Sequence, residues 1–126
     1  MTSKSVARWG EAEARRFLEQ NGWSIVATNW HCRYGEIDLI GRDRQVLVFV
    51  EVKTRRGRSF GLPEEAVTPA KRRRLLRSAW TYLEEHSLQG AEWRVDVIAI
   101  EGRPGREPLR LDHYRDALEA GPDDFW

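Results

Sequence analysis

Within Gly35–Arg55, GEIDLIGRDRQVLVFVEVKTR, an aspartate at position 38 is followed by Glu51, with Lys53 two residues beyond it. Two carboxylates and an ammonium brought to one place have a definite chemistry. Carboxylate oxygens, completed by waters and a substrate phosphate, are the ligands Mg²⁺ prefers. A neighbouring ammonium neutralises charge building on a phosphate or orients an attacking water. Whether the three side chains can act together depends on the strands that carry them.

Side chains alternate across a strand. From Val46 onward, Val46, Val48, Val50 and Val52 point one way and Leu47, Phe49, Glu51 and Lys53 the other. Both sets are apolar until the charges begin, which predicts a central strand covered on both faces. In the preceding segment, alternation puts Glu36, Asp38 and Ile40 on one face and Ile37 and Leu39 on the other. The short link Gly41–Gln45 predicts an antiparallel hairpin, although it lacks the Asn-Gly pair of the tightest turns. A turn centred between Arg44 and Gln45 sets Asp38 opposite Glu51, and a one-residue slip separates them. Adjacent carboxylates repel and are costly to desolvate, a cost that a divalent cation relieves. Two readings fit this pattern: a metal-dependent catalytic site, or a partly exposed ion network at a sheet edge.

The elements around this hairpin follow from periodicity. Val6, Trp9, Ala14, Phe17 and Leu18 recur at helical spacing between Lys4 and Gln20, and Asn21-Gly22 supplies the stop. Trp23–Trp30 is β-branched and aromatic and reads as a strand, with a break at Tyr34-Gly35. Strands follow over Glu36–Gly41 and Val46–Thr54, then a polar loop from Arg55 to Pro63. Thr68-Pro69 opens a second long helix, Thr as N-cap and Pro at its first position. Leu75, Leu76, Ala79, Trp80 and Leu83 give that helix an apolar stripe. Glu92–Ile100 is a fourth strand, and Leu109–Tyr114 alternates as a short edge strand. The order α-β-β-β-α-β(-β) predicts an α/β class with a mixed β-sheet flanked by helices. It reads as a single domain over residues 1–118, followed by a loose C-terminal tail over 119–126.

Composition excludes several classes. The 126 residues, 33% charged and 40% hydrophobic, suit one globular core and not a disordered chain. No apolar run approaches the roughly 20 residues of a membrane helix. The start, MTSKSVARWGEAEARRF, has no secretory core. The single cysteine, Cys32, excludes an internal disulfide and suits a reducing cytoplasm. His31, His86 and His113 have no metal-binding spacing. Net charge is only +1, but it is unevenly spread: residues 55–77 carry eight Lys/Arg against two Asp/Glu, and residues 78–126 five against eleven. A basic block followed by an acidic one fits nucleic-acid contact, and equally a solvated helix face with a solvated tail.

The motifs also carry a resemblance. Asp38 followed by Glu51-Val52-Lys53 looks like the PD-(D/E)xK nuclease signature, with Ile37 where that signature has proline. GEAEARRFLEQNGW, the GEIDLI segment, VFVEVKTR, FGLPEEAVTPAKRRRLL and WRVDVIAI together resemble the YraN family of bacterial endonuclease-like proteins, over nearly all of residues 9–101. That family is related to archaeal Holliday junction resolvases. The resemblance implies a restriction-endonuclease-like core. It implies that Asp38 and Glu51 ligate Mg²⁺ or Mn²⁺, that Lys53 acts on water or phosphate, and that Glu11 on the first helix completes the catalytic and metal site. It also allows a homodimer.

In the nucleic-acid reading, Arg55, Arg56, Arg58 and Lys71 grip phosphates flanking the scissile one. Arg72, Arg73, Arg74 and Arg77 share the helix with Lys71 and can also grip phosphates, but Lys71, two residues after Pro69 at a position the resemblance also marks, ranks first, a plain solvent face being the alternative for Arg72 to Arg74. No helix-turn-helix or zinc finger is present, so recognition is expected to be of backbone and shape. Trp9, Trp23, Trp80 and Trp93 read as core. Trp30 reads as core or edge packing, with base stacking as the alternative. Asp96 interrupts a buried strand and is expected to be structural, bonded to the first helix or the second strand. The expected function is metal-dependent hydrolysis of DNA phosphodiesters, possible substrates being branched or single-stranded forms. The alternative is a catalytically inactive nucleic-acid binding module.

Overall fold

A computed structural model of the chain describes residues 3–55 and 67–118. Its elements are α1 (Ser3–Gln20), β1 (Ser24–Cys32), β2 (Gly35–Asp43), β3 (Val46–Arg55), α2 (Pro69–Glu85), β4 (Trp93–Glu101) and β5 (Arg110–Tyr114). They form a five-stranded sheet in chain order. Neighbours are antiparallel except β3 and β4, which are parallel and joined by the crossover that contains α2. This is the expected mixed α/β sheet, consistent with a restriction-endonuclease-like core. The expected tail and most of the Arg55–Pro63 loop lie outside the described residues. No helix among the described residues is long and apolar enough to cross a membrane.

The central strand has the two apolar faces its sequence predicts. Val48 and Val50 pack with Ala14 and Leu18 of α1 and with Ile98 and Ile100 of β4. Leu47 and Phe49 pack on the other side with Leu75, Leu76, Ala79 and Leu83 of α2. Each fully buried aliphatic or aromatic side chain of this kind contributes about 1.5–3 kcal/mol. α2 starts as expected: Thr68 Oγ1 accepts from Lys71 N at 3.2 Å, with Pro69 at the first helical position. The tryptophans belong to these cores too. Trp23 is buried, Trp9, Trp80 and Trp93 are partly buried against the clusters, and Trp30 meets Tyr82 edge-on, so Trp30 packs on the core.

The β2–β3 register is the one that a turn between Arg44 and Gln45 gives, running from Asp43↔Val46 to Leu39↔Val50. Of the two turn residues, Arg44 alone takes a positive φ, 59°, the pattern of a type II′ hairpin made without glycine. β1 is longer than expected. It runs to Cys32, pairs with Gly35 across an Arg33-Tyr34 loop, and so forms a second tight hairpin.

One expectation fails. Ile37 and Ile40 both join the α2-side core, while Leu39 joins the α1-side core. Strict alternation would have paired Ile37 with Leu39. The opposite strand switches too: Ala27 and Trp30 pack on the α2 side, and Asn29 between them has φ 49°. The hairpin therefore changes face at Asn29 and Asp38. The reason is a local left-handed residue, which asparagine tolerates better than most.

Asp96 is fully buried, but its partners differ from those expected. Its carboxylate accepts from Arg94 Nε at 2.9 Å and from Asp116 N at 2.8 Å, and meets His113 Nε2 at 2.8 Å. Only Arg94 carries the link on to the second strand, through Asp43 Oδ2 at 3.0 Å. Burial favours the neutral acid, but the hydrogen bonds from His113, Arg94 and Asp116 outweigh it and hold Asp96 below the usual carboxylate range. The charge is thus fully partnered and ties β4 to β5 and β2.

Candidate functional site

Beyond Leu39 and Val50 the β2–β3 ladder stops, and the strands part. Asp38 sits at this fork. Its Oδ2 accepts a 2.8 Å hydrogen bond from Val52 N, taking the place a backbone carbonyl would hold in a continued ladder. β3 itself continues against β4, with Glu51↔Val97 and Lys53↔Ala99, so Glu51 and Lys53 are held rigidly on that side.

The fork opens a gap through the sheet, and side chains from both faces meet in it. Glu51 lies on the α2 side by alternation with Leu47 and Phe49. Glu11 comes from α1 on the opposite side. Together with Glu36 and Asp38 they line one cleft of about 560 Å³, with Val52 and Thr54. Glu11 is placed there by Gly10. A Cβ at Gly10 would collide with the Thr54 side chain, so only glycine lets α1 lie this close to β3.

The carboxylates are coupled. Asp38 is pushed up to about 8, first by burial and then by the charge of Glu51, against the pull of the Val52 hydrogen bond. Burial also raises Glu11; hydrogen bonds with Asn29 and Asp38 oppose this, and the charges of Glu36 and Glu51 add to it. Oriented to donate, the Asn29 amide reaches Glu36 Oε1 at 2.6 Å and Glu11 Oε2 at 3.2 Å. The left-handed turn at Asn29 is therefore also the element that aims a donor at two of the acids. Glu51 is paired with Lys53 Nζ at 3.1 Å, both side chains about one-fifth exposed (21% and 19%).

The donor set suits a hard divalent cation. Glu11 and Asp38 line one cleft with Glu36 and Glu51, and a divalent cation relieves the repulsion among carboxylates brought this close. Among the described residues, no group of three or more carboxylate, imidazole or thiol side chains is spaced to hold a metal ion as it stands. Mg²⁺ is commonly held by one or two carboxylates, with waters and substrate phosphate completing its shell.

A second cleft, of about 300 Å³, opens on the other side of Glu36 and Glu51. It is lined by Tyr34 and Lys53, and by Lys71, Arg74, Leu75 and Ser78 of α2. Lys53 lies close enough to Lys71 to pull its ammonium below the usual lysine range.

The structure thus gathers Glu11, Asp38, Glu51 and Lys53 and sets Lys71 beside them. Arg55 is exposed at the end of β3 and lines neither cleft. Arg56 and Arg58 lie outside the described residues. Asn29 and Glu36 are site residues that sequence pattern does not single out, and Arg74 is one that it ranks below Lys71. Arg74 lies one helical turn after Lys71, a spacing that puts both on one stripe. Asn29 gives a weaker signal, since its place depends on the face switch, and Glu36 is legible only as a neighbour of Asp38 on one strand face.

The pattern described as "Uncharacterised protein family UPF0102" matches residues 10–100, a span that contains every cleft residue named above. A UPF0102 protein of Nocardia farcinica is 51% identical over 112 residues, covering 89% of this chain and 87% of that protein. One from Geotalea daltonii is 44% identical over 117 residues, covering 93% and 91%. One from Symbiobacterium thermophilum is 51% identical over 110 residues, covering 86% and 93%. Identity of this level over nearly the full length of each protein shows common descent, and the chain belongs to the UPF0102 family, as the YraN resemblance of its motifs implied.

Proposed function

We propose that this protein is a metal-dependent nuclease that hydrolyses phosphodiester bonds in DNA. The observation that carries this reading is the meeting of Glu11, Glu36, Asp38 and Glu51 in one cleft, beside the ammonium of Lys53. A module that only bound nucleic acid would have no use for such a cluster, because carboxylates repel phosphate.

Asp38, Glu51 and Glu11 would hold Mg²⁺ or Mn²⁺. When bound, the ion supplies Lewis-acid stabilisation of a phosphate and a more acidic water. The chain's own groups do the rest. Val52 N fixes one oxygen of Asp38, so that carboxylate cannot rotate away. Pairing with β4 fixes Glu51 and Lys53. Lys53, with its ammonium on Glu51, is set to orient an attacking water or to neutralise charge on the phosphate. Asn29 steadies Glu11 and Glu36.

The test is cleavage of labelled duplex, single-stranded, flap and four-way DNA with Mg²⁺, Mn²⁺ or EDTA. Asp38→Asn and Lys53→Ala proteins run beside the wild type. Metal-dependent cutting lost in both variants supports the nuclease. Binding without cutting, insensitive to EDTA and to both changes, replaces it with the inactive binding module.

A further inference from the structure

The two clefts share a wall and differ in charge. Among the described residues, the larger is lined by four carboxylates and no Lys or Arg. The smaller has Lys53, Lys71 and Arg74 against Glu36 and Glu51, and Glu51 is already paired with Lys53. A phosphate therefore enters the smaller cleft without help, whereas it enters the larger only with a cation. At about 300 Å³ the smaller cleft is at the low end of ligand cavities, a size that suits a single nucleotide.

Its rim is equally specific. The β1–β2 hairpin tip brings Tyr34 against α2. The guanidinium of Arg33 lies 4.9 Å from the centre of the Tyr34 ring, and that of Arg77 lies 5.7 Å from it. An aromatic ring with guanidinium planes is a surface on which unpaired bases stack.

We infer that the cleft between the β1–β2 hairpin and α2 holds the unpaired nucleotide flanking the cleaved bond, its phosphate on Lys71 and Arg74 and its base on Tyr34. The strand then crosses the Glu36–Glu51 wall from the basic to the acidic cleft, so the substrate is single-stranded at the cut. This deepens the nuclease reading and rests on it, but it is tested without cleavage.

The experiment is fluorescence anisotropy in EDTA with a labelled oligothymidine, and with the same strand annealed to its complement. The wild type is expected to bind the single strand at least about tenfold tighter than the duplex. Tyr34→Ala is expected to weaken single-strand binding about fivefold or more, and Tyr34→Phe to restore it. Lys71→Ala with Arg74→Ala is expected to weaken it further and to flatten its dependence on log salt, by about 0.7 for each phosphate no longer neutralised. Both basic side chains are exposed, so these variants keep the fold, which circular dichroism checks.

Equal affinity for duplex and single strand, no single-strand binding at low salt, or variants that bind like the wild type would each overturn the assignment. Single-strand binding that depends on these residues, without metal-dependent cutting, sinks the nuclease and leaves the cleft. Cutting that is indifferent to all three does the reverse.

Discussion

Asp38 Oδ2 accepts from Val52 N at 2.8 Å at the point where the β2–β3 ladder has already ended. One side chain thus closes the sheet and opens the site. Its carboxylate satisfies a backbone N–H that the parting strands would leave without a partner, and its second oxygen remains for chemistry.

That bond makes Asp38→Ala and Asp38→Asn different experiments. Asparagine keeps an acceptor for Val52 N and removes the charge that Glu51 repels. Alanine strands the N–H, at a cost of about 1–3 kcal/mol. Urea denaturation should rank Asn above Ala in stability by about that amount, while neither variant cuts DNA. Equal stability of the two would mean that water replaces the carboxylate at no cost.

The raised Asp38 acid predicts an unusual pH dependence. In the folded protein it keeps its proton up to about 8, whereas in the unfolded chain it ionises near 4. The folded state therefore binds more protons across that window. Metal-free stability should be highest at the acid side and fall as pH rises from about 4 to about 8, with a slope of up to about 1.4 kcal/mol per unit. Glu11 is raised too and adds to the fall in the same direction. Asp38→Asn, or a saturating divalent cation, should flatten the slope. Chemical denaturation across this range in EDTA reads it directly.

Asp96 should behave in the opposite sense. Its hydrogen bonds hold it below the ordinary range, so the stability it contributes is present above the unfolded value and is lost as pH falls through the folded one. Asp96→Ala leaves the Arg94 guanidinium facing Asp43 alone and should destabilise the protein by about 3–5 kcal/mol. Cleavage per folded molecule should be unchanged, measured at a temperature where both proteins are folded.

Gly10→Ala tests whether α1 must lie close to β3. The added methyl meets Thr54, and overpacking of this kind costs about 1–3 kcal/mol. It also moves Glu11 away from the cleft, so cleavage should drop more than stability alone explains. Thr54→Ala in the same chain makes room and should recover part of both. A double variant no better than Gly10→Ala would place the strain elsewhere.

Much of this arrangement is legible in the residues themselves. The alternation of Val46–Val52 with Leu47 and Phe49 marks the central strand, and the Gly41–Gln45 link sets the register that runs to Leu39↔Val50 and leaves Asp38 and Glu51 together at the fork, not paired across it. Thr68-Pro69 marks the start of α2. The face switch is not legible, because alternation is a rule about regular strands and Asn29 departs from it with a left-handed φ. Asn29 escapes notice for that reason. Arg74 cannot be told from Arg72 and Arg73, because a run of arginines on a helix does not say which stripe faces a groove until the neighbouring hairpin is in place. The partners of Asp96 depend on β5 and the turn after it, contacts too distant in sequence for local pattern to show.

The parallel pairing of β3 with β4 has a consequence for how the protein assembles. β1, β2 and β3 are successive hairpins, so Glu36, Asp38 and Glu51 are gathered by short-range pairing. Lys71 and Arg74 ride on the crossover, whose docking requires closing the chain between Leu47 and Trp93. Loop closure of that length is slow and entropically costly. The acidic half of the molecule should therefore form early in folding and the basic half late, with high φ-values in the β2–β3 hairpin and low ones in α2. A chain still emerging from synthesis would carry these carboxylates in place before Lys71 and Arg74 stand beside them, and the two clefts would share their wall only when the sheet is complete.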